Sequence, residues 1–376
     1  MKIPFVEPTV GAAEARALVR ALRTGRIVGN GELSKRVQQK LAEQVGTKHA
    51  LLTPNATQAF ELFLHTTDIG PGDEVVMPSY SYVSMANAVV TRGARPVFCE
   101  IEEDTLGADP DSVAACITER TKLVFVVHYA GAACDLGRIL PLCAERGVPL
   151  FEDAAQAIGS TWRGRHVGTN GVGACFSFHA TKNVTCGEGG AFVTDDTDRL
   201  HVAEIAHEKG TNRSAFLRGE VDKYTWVGRG GSYVLADLLA AMLDVQLDRT
   251  EELNLRRRVA WQHYHEGLAD LEKRGVLRRP RPRDDGQHNG HIYWFLAEST
   301  TAADRIIGGL REHEIHATFH YQPLHAAPFA REFLGAAGRE LPVTERVADT
   351  IVRLPLSSKM GRKKVDRVLA ELAKLV

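Results

Sequence analysis

The chain has no C-x-x-C pair. Its six cysteines (Cys99, Cys116, Cys134, Cys143, Cys175 and Cys186) are scattered, most of them in apolar runs, so reduced thiols are expected in place of a disulfide framework. Charge of neither sign dominates, with 46 Lys and Arg against 47 Asp and Glu. Without a global field, no nucleic-acid or membrane partner is expected, and any anionic ligand must be held by local groups. No run approaches the roughly 20 apolar residues of a membrane-spanning helix, and the stretch Met1 to Pro8 lacks the apolar core of a signal peptide. A cytoplasmic protein is the expectation. The basic, proline-rich stretch Arg278 to Arg283 has no interleaved aromatics, which suits a linker better than a nucleic-acid contact. His316, His320 and His325 lack an accompanying Cys or carboxylate pattern, so no metal site is expected.

What is present is a long chain with regular alternation. Its 376 residues, 44% hydrophobic, suffice for two domains or for one large domain with an appendage. Strand-like runs recur at Ala50 to Leu52, Pro96 to Cys99, Leu123 to His128 and Val148 to Phe151, with helical segments between them. That order predicts an α/β fold around a mostly parallel, doubly wound sheet. Leu235 to about Leu271 reads as one long helix. Beyond it, the strand-like Ile292 to Leu296, the helix-like Ala302 to His313, the strand-like His316 to Tyr321 and a closing helix over Val365 to Val376 predict a smaller α+β unit. The expected division is residues 1–245 and 246–376. The loop Gly168 to Gly173 has dinucleotide-like glycine spacing but precedes a strand instead of opening a helix, so it is not read as a nucleotide loop.

One lysine stands out by its setting. Lys182 follows the apolar, aromatic run Ala174 to Phe178 and precedes a turn punctuated by Gly187, Gly189 and Gly190. A lysine leaving a strand end into a core is costly as a cation, and burial depresses its pKa toward the neutral amine that a Schiff-base lysine needs. The competing reading is a surface lysine whose stem snorkels. A second feature is Val148 to Ala157, a buried strand with polar residues at its carboxyl end, where open α/β sheets place ligands. Pyridoxal phosphate (PLP) requires a lysine for its aldehyde and a carboxylate facing its pyridinium nitrogen, and Lys182 with Asp153 meets that requirement. Taken singly, an aspartate placed like Asp153 is more often a helix N-cap than a cofactor partner, and Ser177 could contact a phosphate although a strand serine usually bonds backbone. The helix start after Thr53 offers unpaired N–H groups to a phosphate, unless Asn55 or Thr57 merely caps it.

The motifs Glu152-Asp153-Ala-Ala-Gln156, Phe176-Ser177-Phe-His179-x-Thr-Lys182-Asn183 and Gly187-Glu188-Gly189-Gly190 resemble those of the fold-type I PLP aminotransferases that aminate nucleotide-linked keto-sugars, the DegT/DnrJ/StrS family. Lys209 to Ser214, Val221 to Trp226 and Val127 to Gly131 are most similar to its TDP-4-amino-4,6-dideoxygalactose transaminases. The resemblance spans essentially the whole chain. It implies PLP as cofactor, L-glutamate as amino donor, a 4-keto-6-deoxy sugar nucleotide as acceptor, and a homodimer with shared active sites.

Residue by residue, it implies that Lys182 is both anchor and proton carrier, and that Asp153 faces the ring nitrogen. Tyr82 occupies the position of an aromatic against the ring. Gln156, Ser177 and the Ala56-Thr57 turn position the cofactor, with Ser232 a substitute for an asparagine that relatives carry nearby. His179, Arg213, Lys223, Tyr224, His320 and His325 are the substrate-contact candidates, of which Arg213, Lys223 and Tyr224 read otherwise as a solvated loop. A related group that dehydrates sugars replaces the lysine with histidine, and the retained Lys182 argues against it. A non-catalytic binding protein of the same fold is the remaining alternative.

Overall fold

A computed structural model describes residues 2–25, 27–334 and 340–376. Seven strands form the main sheet: β1 (His49–Thr53), β2 (Glu74–Pro78), β3 (Arg95–Cys99), β4 (Thr121–Val127), β5 (Leu150–Asp153), β6 (Gly173–Ser177) and β7 (Gly190–Thr194). Their order is β1-β7-β6-β5-β4-β2-β3, with β3, β2, β4, β5 and β6 mutually parallel and β7 antiparallel to both its neighbours. Apolar residues occupy both faces of these strands, as in any parallel sheet covered on two sides. Leu123, Phe125 and Val127 of β4 pack with Phe60 and Phe63 of the helix Ala56–His65. Val124 and Val126 turn the other way, onto Ile139 and Cys143 of the helix Leu136–Arg146. The sheet is therefore doubly wound, and its carboxyl-end loops open on one edge.

A second layer begins near residue 250. Three antiparallel strands, β8 (Leu277–Arg278), β9 (Tyr293–Ala297) and β10 (Ile351–Leu354), pack on the helices Thr250–Gly267, Thr300–Glu312 and Arg362–Leu372. The chain start joins this layer: Ile3 bridges Ile315 and is fully buried in its core.

Two local readings of the sequence differ from the structure. The single long helix over Leu235 to Leu271 is three, Asp237–Leu247, Thr250–Gly267 and Ala269–Lys273. The first break lies at Arg249, whose backbone (φ −104°, ψ 6°) leaves the helical range, and the Thr250 hydroxyl donates across it to the Leu247 carbonyl (2.8 Å). His316 to Tyr321 forms a single bridge, Thr318 to Arg353, in place of a strand. The Arg353 guanidinium occupies the Phe319 carbonyl (Nε 3.0 Å, Nη2 2.8 Å), leaving it unavailable to a ladder. The basic stretch after residue 277 is pinned to the main sheet's loops, Arg278 on Asp104 (2.6 Å) and Glu103, and Arg283 on Asp135 (3.1 Å). Among the described residues, no helix is long and apolar enough to cross a membrane, no His, Cys, Asp or Glu group could hold a metal ion, and the six cysteines are free.

Candidate active site

Strand β5 ends in two carboxylates, and strand alternation sends them to opposite faces. Glu152 turns away from the open edge and is fully buried. It accepts from the backbone N–H groups of Gly168 (2.8 Å), Asn170 (2.6 Å) and Gly171 (2.8 Å) and from His128 Nε2 (2.8 Å). The loop with nucleotide-like spacing thus does cradle an anion, the protein's own. Gly168 sits at φ +89°, a conformation that glycine adopts without strain. Burial alone would raise the Glu152 pKa, but the hydrogen bonds from His128, Gly168 and Asn170 hold it below the usual carboxylate value.

Asp153 faces the opposite way, into a cavity of about 350 Å³. It accepts from Ala155 N–H (2.9 Å) and lies 3.6 Å from the Cys175 thiol. Burial pushes its pKa up, while the charge of Lys182 pulls against the shift. Lys182 emerges from the loop that joins β6 to β7. Backbone bonds from Cys186 to Phe178 (3.0 Å), Ala180 to Gly187 (2.8 Å) and Lys182 to His179 (2.9 Å) clip that loop into one shape. The lysine is half-buried because its side chain meets the open cavity, with protein on its other sides. Desolvation depresses its pKa to about 8, against the pull of Asp153.

The helix Ala56–His65 starts at the same cavity. Asn55 caps it, accepting from Gln58 N–H (2.9 Å), and Thr57 Oγ1 meets Ser84 Oγ (2.6 Å). Gly190 allows β7 to approach this helix start. A Cβ there would stand 2.3 Å from the Asn55 carbonyl carbon and 2.6 Å from Ala56 N, closing the cradle of N–H groups. Ala56, Thr57, Tyr82, Asp153, Gln156, Ser177, His179, Lys182 and His320 therefore share one cavity. Gln156 is fixed by Ala130 N–H (2.7 Å) and donates to the Tyr321 hydroxyl (3.0 Å). His320 Nδ1 meets the Tyr129 hydroxyl (2.6 Å), and its ring stacks on Tyr321 at 3.7 Å. Tyr82 remains 53% exposed, so a face of its ring is free.

Five of the sequence candidates stand elsewhere. His325 is tied between Ser79 Oγ (2.7 Å) and Glu345 Oε1 (2.9 Å), where it links the two layers. Arg213 pairs with Glu208 (2.9 Å), while Lys223 and Tyr224 lie on an exposed segment and Ser232 bridges Glu208. None of these five lines the cavity of its own chain.

Three cavity residues escaped the sequence reading: His291, Tyr321 and Arg353. Arg353 had a legible signal, a guanidinium inside the apolar strand Ile351–Leu354. It lies over the Phe5 ring at 4.6 Å and donates only to the Phe319 carbonyl, with no carboxylate partner among the described residues. His291 and Tyr321 carry no local pattern that marks them.

The site fits a cofactor with an aldehyde, a basic ring nitrogen and a phosphate. A lysine of depressed pKa, a buried carboxylate opposite it and a helix start kept open by Gly190 are the groups that PLP requires. Known proteins agree. TlmJ, an aminotransferase from Streptoalloteichus hindustanus, is 33% identical, with 98% of this chain and 97% of that one aligned at a TM-score of 0.90. DesV of S. venezuelae, solved in complex with a ketimine intermediate, is 30% identical over 99% and 98% (TM-score 0.90). The putative sugar aminotransferase Spr1654 from Streptococcus pneumoniae, solved in a PLP form, is 27% identical over the full length of both chains (TM-score 0.91). Residues 8–373 match the DegT/DnrJ/EryC1/StrS aminotransferase family as a whole, so this chain belongs to that family and is a PLP-dependent aminotransferase.

Proposed function

We propose that the enzyme transfers the amino group of L-glutamate to the keto carbon of a nucleotide-linked 4-keto-6-deoxy sugar, with TDP-4-keto-6-deoxyglucose the favoured acceptor. The products are 2-oxoglutarate and a TDP-4-amino-4,6-dideoxyhexose. Bound PLP supplies the aldehyde that exchanges amines and the ring that stores an electron pair. The chain does the rest. Lys182 Nζ, neutral in a useful fraction near pH 8, takes a proton from the donor's α-carbon and returns one to the acceptor. Asp153 favours a protonated ring nitrogen, the start of the helix Ala56–His65 suits a phosphate, and Tyr82 offers an aromatic face.

The single observation that carries the donor half of this reading is Arg353. A guanidinium without a carboxylate partner among the described residues, in the cavity that holds Lys182, suits an amino acid's carboxylate as a two-pronged partner. The segment bearing Arg213, Lys223 and Tyr224 exposes Phe216, Leu217 and Trp226, the last 80% exposed. Such a surface supports a homodimer in which this segment reaches the partner's sugar-nucleotide site. Six free, buried thiols are consistent with a reducing cytoplasm.

The test is sequential. Glutamate added to the PLP-loaded protein should shift the cofactor's absorbance to that of pyridoxamine phosphate. A panel of TDP- and UDP-linked keto-sugars should then reverse the shift, with product stereochemistry read by NMR. Binding of both ligands without either spectral change would refute transamination of this substrate class. In parallel, Arg353→Leu should raise the KM for glutamate roughly tenfold to a hundredfold.

A further inference from the structure

His291 lies on the approach to β9 at the cavity wall, and its side chain ends a one-way chain of buried hydrogen bonds. Asn254 Nδ2 donates to the Ile158 carbonyl (2.9 Å), which leaves Asn254 Oδ1 as an acceptor. Asn183, the residue after Lys182, donates from Nδ2 to that oxygen (2.8 Å) and to the Asn289 carbonyl (3.1 Å). The Asn183 Oδ1 is therefore an acceptor as well, and His291 Nδ1 stands 2.8 Å from it. A backbone carbonyl cannot donate, so the direction of the whole chain is set: His291 must carry its proton on Nδ1. Asn289 fastens the arrangement, donating to the carbonyls of Gln156 (2.9 Å) and Ile158 (3.0 Å) and accepting from His291 N–H (3.0 Å).

The ring's other nitrogen, Nε2, is left with a lone pair. Burial, reinforced by the positive charges of Lys182, Arg257 and Arg353, keeps the imidazole from protonating. Among the cavity's polar groups this combination is distinctive. His320 is held neutral too, but its Nδ1 meets a Tyr129 hydroxyl that can give or take the proton, and Gln156 is engaged at both ends, whereas the polarity of His291 is fixed from behind.

One cavity must serve two unlike substrates if the proposed function holds, and the inference rests on that reading. The donor carries carboxylates, which suit Arg353. The acceptor is uncharged around its reacting carbon and presents hydroxyls there. We propose that His291 is a specificity-determining residue for the acceptor: its Nε2 takes a hydrogen bond from a sugar hydroxyl beside the keto carbon. A carboxylate at this place would accept as well, but it would repel the donor's carboxylates and draw Lys182 back toward its charged form.

The discriminating variant is His291→Asn. Its amide N–H₂ can still donate to Asn183 Oδ1, so the chain behind stays satisfied, while nothing reaches the position of Nε2. Three measurements on the cofactor-loaded protein decide, with product binding and the acceptor half-reaction measured on its pyridoxamine phosphate form. Calorimetric affinity for the nucleotide-linked amino-sugar product should fall about tenfold in the variant, the cost of one hydrogen bond. The acceptor half-reaction, followed spectroscopically, should lose about tenfold more than the glutamate half-reaction. An acceptor lacking the hydroxyl next to the keto carbon should be handled alike by wild type and variant. ¹⁵N NMR of the cofactor-free wild type should show the neutral Nδ1–H tautomer at pH 6 to 8.

Equal losses in both half-reactions would overturn the proposal by moving the action of His291 to Lys182. An Nε2–H tautomer would overturn it independently. A wild type that aminates a keto-sugar nucleotide while His291→Asn binds product normally would refute the role of His291 and leave the proposed function standing. A wild type silent toward every keto-sugar nucleotide would bring down both.

Discussion

Glu152 and Asp153 are consecutive, both are buried at the end of one strand, and their pKa values move in opposite directions. The difference lies in what the protein supplies to each. Glu152 receives three backbone N–H groups and an imidazole. The Cys134 N–H bonds His128 Nδ1 (3.3 Å), so the imidazole proton sits on Nε2, facing the carboxylate. Asp153 receives one backbone N–H and a thiol, and otherwise faces open space and a lysine whose own pKa is depressed. A buried charge that the protein satisfies itself is a rivet. One left short of partners, opposite another, marks the place of a ligand.

The largest expected effect breaks the ligand side of the pair. Lys182→Ala should lower turnover about a thousandfold or more, since it removes the proton carrier and the point of covalent attachment together. Borohydride reduction followed by peptide mass mapping checks the second role: the cofactor should be fixed to the Lys182 peptide in the wild type and to no peptide in the variant. Near-normal turnover, or label elsewhere, would sink the assignment.

Asp153→Asn is next, and its two readouts should part. Both half-reactions should slow by roughly a hundredfold, because the ring nitrogen loses the charge that favours its protonation. The melting temperature of the cofactor-free protein should stay level or rise, since the variant removes an under-satisfied buried charge and keeps an acceptor for Ala155 N–H. The neighbouring change inverts this pattern. Glu152→Gln sets an N–H₂ against N–H groups 2.6 to 2.8 Å away and should cost about 3 kcal/mol in chemical denaturation, with turnover per folded molecule within about twofold. Its pH signature follows from the depressed pKa. The unfolded chain binds the proton more readily, so the Glu152 contribution is complete above the ordinary carboxylate range and is lost as pH falls through the lower folded value. A Glu152→Gln protein with unchanged stability, or an Asp153→Asn protein that barely folds, would reverse the assignment of rivet and ligand site.

The sequence made one side of this contrast legible. Lys182 and Asp153 stand at the ends of short apolar runs with glycines or small residues nearby, and both signals are local. The sheet was legible for the same reason. Glu152 was not, because its partners belong to a loop whose spacing resembles a nucleotide loop, and spacing alone does not say which anion fills the nest. Arg353, His291 and Tyr321 come to Lys182 only because the second layer folds across the sheet's open edge, which is a tertiary event with no periodicity. The long helix broke for a similar reason. Its composition favours continuity, and the turn at Arg249, where Thr250 bonds back to the Leu247 carbonyl, leaves no mark in the periodicity. His325 shows the converse: a histidine near the site in sequence is taken up by Ser79 and Glu345 once packing is complete.

The smallest effect concerns the stability of the cofactor-free protein. Lys182 titrates at about 8 when folded and near 10.4 when unfolded, so between those values the unfolded chain holds the extra proton. Stability contributed through this group must therefore rise with pH across that window, the opposite of a lysine in an ion pair. Full burial would give about 3 kcal/mol. With the side chain open to the cavity, about 1 to 2 kcal/mol is expected. Asp153 tilts stability the other way, since burial raises its pKa in the folded protein, and it is common to both proteins compared. The measurement is denaturant unfolding of wild type and Lys182→Met at pH 7.5 and pH 10. Tyrosine and cysteine ionisations are common to both proteins and cancel in the difference, so the wild type should gain on the variant by that amount. A gap that is flat, or that widens against the wild type at high pH, would mean the amine keeps its charge in the folded protein and is not poised to attack an aldehyde.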